Sequence, residues 1–215
     1  MTPPDPIIVA RLDREFYDRP ADIVAEALLG CYLFRSTAKG VTSGWIVETE
    51  AYLAVDDPAS HAARGPTRSN QSMFGRPGTC YVYPIHAKHC VNVVTGSTGI
   101  GSAVLLRAVE PYGGGSLMRR RRDRDAELDW CRGPARLCQS FAIDRILDGT
   151  DMTIHGGDLW IAAGDTPGKI RRSNRIGVTS AQSLKLRFFV DGNRFVSGRR
   201  KDHSLKPVGC FADTR

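Results

Sequence analysis

No C-x-x-C pair occurs among the six cysteines of this chain, at positions 31, 80, 90, 131, 138 and 210. Their spacing offers no disulfide framework, so reduced thiols in an intracellular protein are expected. No run approaches the roughly 20 apolar residues that a membrane-spanning helix needs. The opening MTPPDPIIVARLDREF also lacks an apolar stretch behind a basic start, so the protein is expected to be soluble and not exported. Internal repeats and low-complexity tracts are missing as well, which excludes solenoid and collagen-like classes. A chain of 215 residues fits one domain or two small ones. It can bury roughly 70% of its unfolded surface, so neither metal nor disulfide is needed to hold it.

Acidic residues are also unevenly missing. None occurs between Asp57 and Glu110, while Arg64, Arg68, Arg76, Lys88 and Arg107 stand in that stretch. Residues 169–215 carry twelve Lys and Arg against three Asp and Glu, and the remainder holds eighteen against twenty. The net charge of +7 is therefore concentrated in two acid-poor stretches that could form one positive face for a polyanion, although solvated charge explains the composition equally well.

What is present reads as strands with a few helices. RPADIVAEALLG (19–30) has proline in its first turn, helical apolar spacing and a terminal glycine, which predicts a helix. CYLFRS, SGWIVETEAYL, TCYVY, HCVNVVT, SAVLLRAV, DLWIAA, KIRRS and LKLRFFV read as strands, with DGN (191–193) as a turn. Helices are expected within 115–128 and 134–143. Residues 53–79 form a connection too long to be ordinary, of a length that is usually functional or disordered. Strands grouped without regular βαβ alternation predict an α+β fold around a largely antiparallel sheet.

Several motifs could carry chemistry. In an extended strand Glu48, Glu50 and Tyr52 share one face. They follow the apolar Trp45-Ile46-Val47, as though the strand left the core towards a cleft where one carboxylate could serve as general base on a water. Spacing does not say which. Tyr81 and Tyr83 also share a face, and their rings could stack on bases or simply pack in the sheet. His86, His89 and Cys90 lack the second ligand cluster of a structural zinc site, and no metal is expected. MRRRRDRD (118–125) reads as a solvated helix face with internal ion pairs. YGGGS (112–116) lacks the G-K-[ST] ending of a phosphate loop and reads as a flexible turn. RGPARLCQSF (132–141) could offer helix N-terminal N–H groups to a phosphate.

The ordered series LDREFYDRPADIVAEALLG, VETEAYLAVDDPASHA, RSNQSMFGRPGTCYVY, AVLLRAVEP and GPARLCQSFAID resembles the alkyladenine (3-methyladenine) DNA glycosylase family, from about Leu12 to Val196. The resemblance implies a curved, mainly antiparallel sheet surrounded by α-helices, like a formyltransferase C-terminal domain. It implies one domain over 11–198, between a flexible N-terminus (1–10) and a basic tail (199–215). It further implies an enzyme without cofactor that removes alkylated or deaminated purines from double-stranded DNA. That enzyme would act as an intracellular monomer away from membranes, in the cytoplasm or on the nucleoid if bacterial. Glu50 matches the family's catalytic glutamate, Tyr52 and Tyr83 the tyrosines on either side of a flipped base, and His61 a pocket histidine. Asn92 matches the asparagine that crowds the amine of normal guanine, and Arg107 an arginine near the flipped nucleotide's phosphate. Arg64, Arg68, Lys88 and Arg136 are expected to meet the DNA backbone. Where relatives read Y-V-Y-x-x-Y-G-M-[YH], this chain reads YVYPIHAKH and is one residue shorter before Asn92. His86 thus stands in place of the family's wedge tyrosine, and weaker flipping of well-paired lesions is expected.

Overall fold

Thirteen consecutive residues, Gly40–Tyr52, form strand β2, and the rest of the sheet is arranged around it. The computed structural model describes residues 10–85 and 87–198. The other strands are β1 (Tyr32–Thr37), β3 (Cys80–Ile85), β4 (Lys88–Thr95), β5 (Ser102–Gly113), β6 (Leu159–Ala162), β7 (Ile170–Ser173) and β8 (Arg187–Val190). Their order is β3-β4-β5-β2-β1-β6, with β8 joining β2 further along and β7 completing that edge. All pairings among these strands are antiparallel. One edge of β2 pairs first with β1 and then, from Glu48 to Glu50, with β8. This change of partner curls the sheet.

A bulge in β2 decides which side chains reach which face. Ile46 opposes Val109 and Glu48 opposes Ala108, so Val47 is the extra residue. Ile46 and Val47 consequently both enter the main core, and alternation resumes with the opposite phase for Glu48, Glu50 and Tyr52. The core face carries Val47 and Ala51 of β2, Val104 and Leu106 of β5, Val91 and Val93 of β4, and Cys80 and Val82 of β3. Helix α2 (Ala21–Ala27) covers it with Val24 and Ala25, and Leu28 follows them inward. Thr49, a polar side chain that β2 turns that way, is satisfied by donating to the Ala25 carbonyl at 2.7 Å. The short α1 (Arg14–Tyr17) precedes α2, and Gly30 ends the predicted helical stretch with φ of 91°. A Cβ at Gly30 would also lie 2.1 Å from the Asp165 carbonyl oxygen.

Helices α3 (Gly115–Arg122), α4 (Leu128–Cys131) and α5 (Pro134–Phe141) cover the same core, through Met118, Cys131, Leu137, Cys138 and Phe141. Two sequence expectations change. YGGGS is not a free turn: β5 runs to Gly113, left-handed Gly114 caps α3, and Gly115 opens that helix. Residues 53–79 are ordered, with two 3₁₀ turns at His61–Arg64 and Gln71–Phe74. Asn70 holds them, donating to the carbonyls of His61 and Gly65 and accepting from the Thr67 N–H and hydroxyl. The arginine run is only partly absorbed by helix packing, with Arg119, Arg120 and Arg124 exposed. Arg121 donates to the Ser140 carbonyl, Arg122 to the Asp129 carbonyl, and Arg119 pairs with Asp125. Among the described residues no helix is long and apolar enough to cross a membrane, and the five of the six cysteines that are described are free and buried.

Candidate active site

The face of the sheet opposite α2 and α5 gathers the chemistry. Glu50 of β2 lies beside Leu105 of β5, Leu105 beside Asn92 of β4, and Asn92 beside Tyr81 of β3. One residue pair further along, Tyr52, Ala103 and Val94 form the next row. Tyr52, Tyr83 and Phe74 pack against a small cluster of Ala62, Met73, Tyr81, Val94 and Ala103. The structure thus brings Glu50, Tyr52, His61, Tyr83 and Asn92 to one face, from three strands and the turn at His61.

Both glutamates are fully buried, and their surroundings separate them. The Oε1 of Glu48 accepts from Arg107 Nε (3.1 Å), Arg187 Nε (2.6 Å) and the Ser197 hydroxyl (3.0 Å), and its Oε2 from the Ser197 N–H (2.7 Å). Burial alone would push this carboxyl up, but the two guanidiniums and the Ser197 N–H hold it below the ordinary carboxylate range. Four donors leave Glu48 little capacity for substrate. Glu50 has fewer partners: the Ile176 N–H on Oε1 (2.8 Å), and the Tyr52 hydroxyl (3.1 Å) and Arg107 Nη1 (3.2 Å) on Oε2. The strand does not leave the core towards a cleft, as the sequence suggested. Glu50 is instead flanked by β5 and β8 and crossed by the segment carrying Ile176, with its carboxylate buried in the ion pair to Arg107.

Arg107 is also placed differently from expectation. Its guanidinium is buried between Glu48 and Glu50 and donates to the Ser197 hydroxyl at 3.2 Å, so it is spent on carboxylates and not presented to a phosphate. Burial would lower its pKa, but Glu50 and Glu48 raise it. Arg136 lies on α5, which packs on the core face, and pairs with Asp129 at 2.8 Å. It does not join the site. Arg64, Arg68 and Lys88 are exposed on the ordered loop and on the β3–β4 hairpin, and make no ion pair among the described residues. His86 lies outside the described residues, as do 1–9 and 199–215.

The aromatic side of the site is held without charge. His61 Nδ1 is 2.8 Å from the Tyr81 hydroxyl, and its ring meets Tyr83 edge-on with centroids 4.6 Å apart. Partial desolvation of the exposed His61 ring, then the nearby Arg64, lowers its pKa from the usual 6.5 and favours the neutral form. Burial, followed by the Glu50 charge, raises the Tyr52 hydroxyl, so it stays a neutral donor to Glu50. Burial likewise raises Tyr83, with contributions from Cys90 and Tyr52. Asn92 is buried and donates to the Tyr81 carbonyl at 3.0 Å. Among the described residues no group of three His, Cys, Asp or Glu could hold a metal ion.

Sequence reasoning missed four participants: Asp57, Arg175, Arg187 and Ser197. Arg175 lies over the Tyr52 ring at 4.5 Å and forks onto Asp57. Asp57 and Arg175 stand 118 residues apart, and no local pattern links them. The only signal was that Asp57 is the last acid before an acid-free stretch, where an isolated charge needs a distant partner.

A family model described as Methylpurine-DNA glycosylase matches residues 15–194. The chain is 50% identical over 199 residues to a Rhodopirellula baltica protein, covering 89% of this chain and 85% of that one. It is 44% identical over 194 residues to a Methanoculleus marisnigri protein, covering 87% and 99%. It is 48% identical over 169 residues to one from Rubrobacter xylanophilus, covering 78% and 87%. All three carry the provisional name 3-methyladenine DNA glycosylase. With its antiparallel sheet and buried glutamate pair, this chain belongs to the methylpurine-DNA glycosylase family, enzymes that hydrolyse N-glycosyl bonds in DNA.

Proposed function

We propose that this enzyme excises alkylated or deaminated purines of the 3-methyladenine and hypoxanthine class from duplex DNA, by rotating the nucleotide out of the helix and attacking C1′ with a Glu50-activated water. The observation that carries this reading is the asymmetry of the two carboxylates: Glu48 is saturated by two arginines and Ser197, whereas Glu50 adjoins the aromatic side through Tyr52. A base stacked in a duplex hides its glycosidic bond, and extruding it costs a few kcal/mol. Stacking on Tyr52 and Tyr83 would return roughly 1–3 kcal/mol per base. On this reading an incoming base turns the Tyr52 hydroxyl off Oε2, and water takes the freed lone pair. Glu50 accepts the water's proton as oxygen bonds to C1′. The C1′–N bond breaks with its electron pair on the purine: a cationic alkylated base departs neutral, and hypoxanthine departs neutral after taking up a proton from solvent at a ring nitrogen before cleavage. His61 lines the pocket and Asn92 crowds the exocyclic amine of guanine. The enzyme acts as a monomer.

The closed, ion-paired Glu50 specifically favours a second reading, in which the protein binds lesions but cleaves slowly. The test is release of free purine from duplexes carrying a single 3-methyladenine or hypoxanthine, with excess protein. Release from duplex but not from the corresponding mononucleosides is expected. Lesion-dependent binding without release would favour the second reading, and equal cleavage of nucleosides would overturn both.

A further inference from the structure

Asp57 and Arg175 form a bidentate ion pair at 2.7 and 2.6 Å with both side chains fully buried. Neither touches Glu50, yet the pair ties the end of β2 to the segment whose Ile176 N–H holds that carboxylate, and both to the turn that carries His61. Asp57 accepts from the N–H groups of Leu53, just past β2, and Ala59. Its own carbonyl receives the Ser60 N–H at 2.9 Å, and the Ser60 side chain caps the turn that carries His61. Arg175 donates to the Ala51 carbonyl at 2.9 Å, between Glu50 and Tyr52, and spreads over the Tyr52 ring. The next residue, Ile176, supplies the N–H on Glu50 Oε1. Among the described residues the buried Nε of Arg175 has no hydrogen-bond partner. Its orientation is therefore fixed by the fork to Asp57, the bond to the Ala51 carbonyl and the contact with the ring.

We propose that Asp57 and Arg175 are the positioning pair of this site, an inference that rests on the roles given above to Tyr52 and Glu50. Asp57 aims the guanidinium. Arg175 occupies one face of the Tyr52 ring, which fixes the ring plane and leaves only the opposite face for a base. The same side chain anchors the segment whose Ile176 N–H holds one Glu50 oxygen and so points the other at the reacting side. Neither residue touches the reacting atoms, and both act through Tyr52 and Glu50.

The test uses the full chain and the variants Asp57→Asn, Arg175→Met and Arg175→Lys. Three quantities are measured: the single-turnover excision rate from lesion duplex, the affinity for undamaged duplex, and amide hydrogen exchange. The first two variants are expected to lose about a hundred-fold in rate, the scale of a misplaced reacting group, with affinity for undamaged DNA unchanged. Exchange at the Ile176 amide should speed up while Val104 and Leu106 in the sheet keep their protection. Arg175→Lys keeps a cation over the ring and should regain part of the rate. Wild-type rates in Asp57→Asn and Arg175→Met would overturn the proposal, and so would faster Ile176 exchange accompanied equally by Val104 and Leu106. Should Arg175→Met not fold, the other two variants carry the same readouts. A wild-type protein that releases no purine would sink the functional reading instead, and the exchange pattern would then decide the pair alone.

Discussion

Glu48 and Glu50 look equivalent in the sequence, two residues apart on one face of one strand. What distinguishes them comes from residues 107, 187 and 197, which the fold brings in from two other strands and the segment after β8. The two carboxylates and the guanidiniums of Arg107 and Arg187 balance in charge, so the buried cluster is tolerable only as a whole. Replacing Glu48 by Gln leaves two buried arginines short of a counter-charge and should cost about 3–5 kcal/mol of stability, read by denaturant unfolding. The pH dependence follows in sign. The Glu48 pKa in the folded protein lies below its ordinary 4.5, so its contribution is complete above that value and is lost as pH falls through the folded pKa. The wild type should therefore lose stability on acidification below about pH 4.5, and Glu48→Gln should show a shallower loss. An unchanged acid limb in the variant would contradict this role. That the two carboxylates share one face was legible from their spacing. Which one is structural was not, because buried charge is assigned by partners far away in sequence.

Elements were legible where a period of two or 3.6 runs through several residues. α2 and all eight strands fall within the stretches read from the sequence, apart from end shifts such as β2 beginning at Gly40. The bulge at Val47 was invisible, since Trp45-Ile46-Val47 reads as a plain apolar run. Its consequence is large: without the extra residue, Glu48, Glu50 and Tyr52 would point into the α2 core. Residues 53–79 hid their order for another reason. Their architecture rests on side chain–backbone bonds from Asn70, a residue with no periodic signature. Asn70→Ala would leave the His61 and Gly65 carbonyls and the Thr67 N–H without their partner, at roughly 1–3 kcal/mol of local stability. Limited proteolysis should then cut within 53–79 faster than in the wild type, while amide protection in β4 and β5 stays intact. Unchanged cleavage would mean the loop is held by something other than Asn70.

At the scale of the whole molecule, the acid-free stretch from 58 to 109 was the most readable feature, and it spans both the ordered loop and the β3–β4 hairpin. Composition did not reveal that basic residues are divided between tasks. Arg107, Arg175 and Arg187 neutralise buried carboxylates, and Arg136 pairs with Asp129 on the helical side. Arg64, Arg68 and Lys88 are exposed beside the candidate site. If these three grip phosphates, replacing all of them by Ala should reduce the slope of log binding constant against log salt by about 2–3. Arg136→Ala should leave it unchanged. A steeper dependence on Arg136 than on the loop and hairpin residues would reverse the assignment of the DNA-facing side.

The most direct measurement pairs single-turnover purine release with a binding titration for wild type and Glu50→Gln, on a duplex holding one 3-methyladenine or hypoxanthine. Release by the wild type is expected to fall by orders of magnitude in the variant, with lesion affinity retained. Undiminished release by Glu50→Gln would contradict the assignment of the attacking water to that carboxylate.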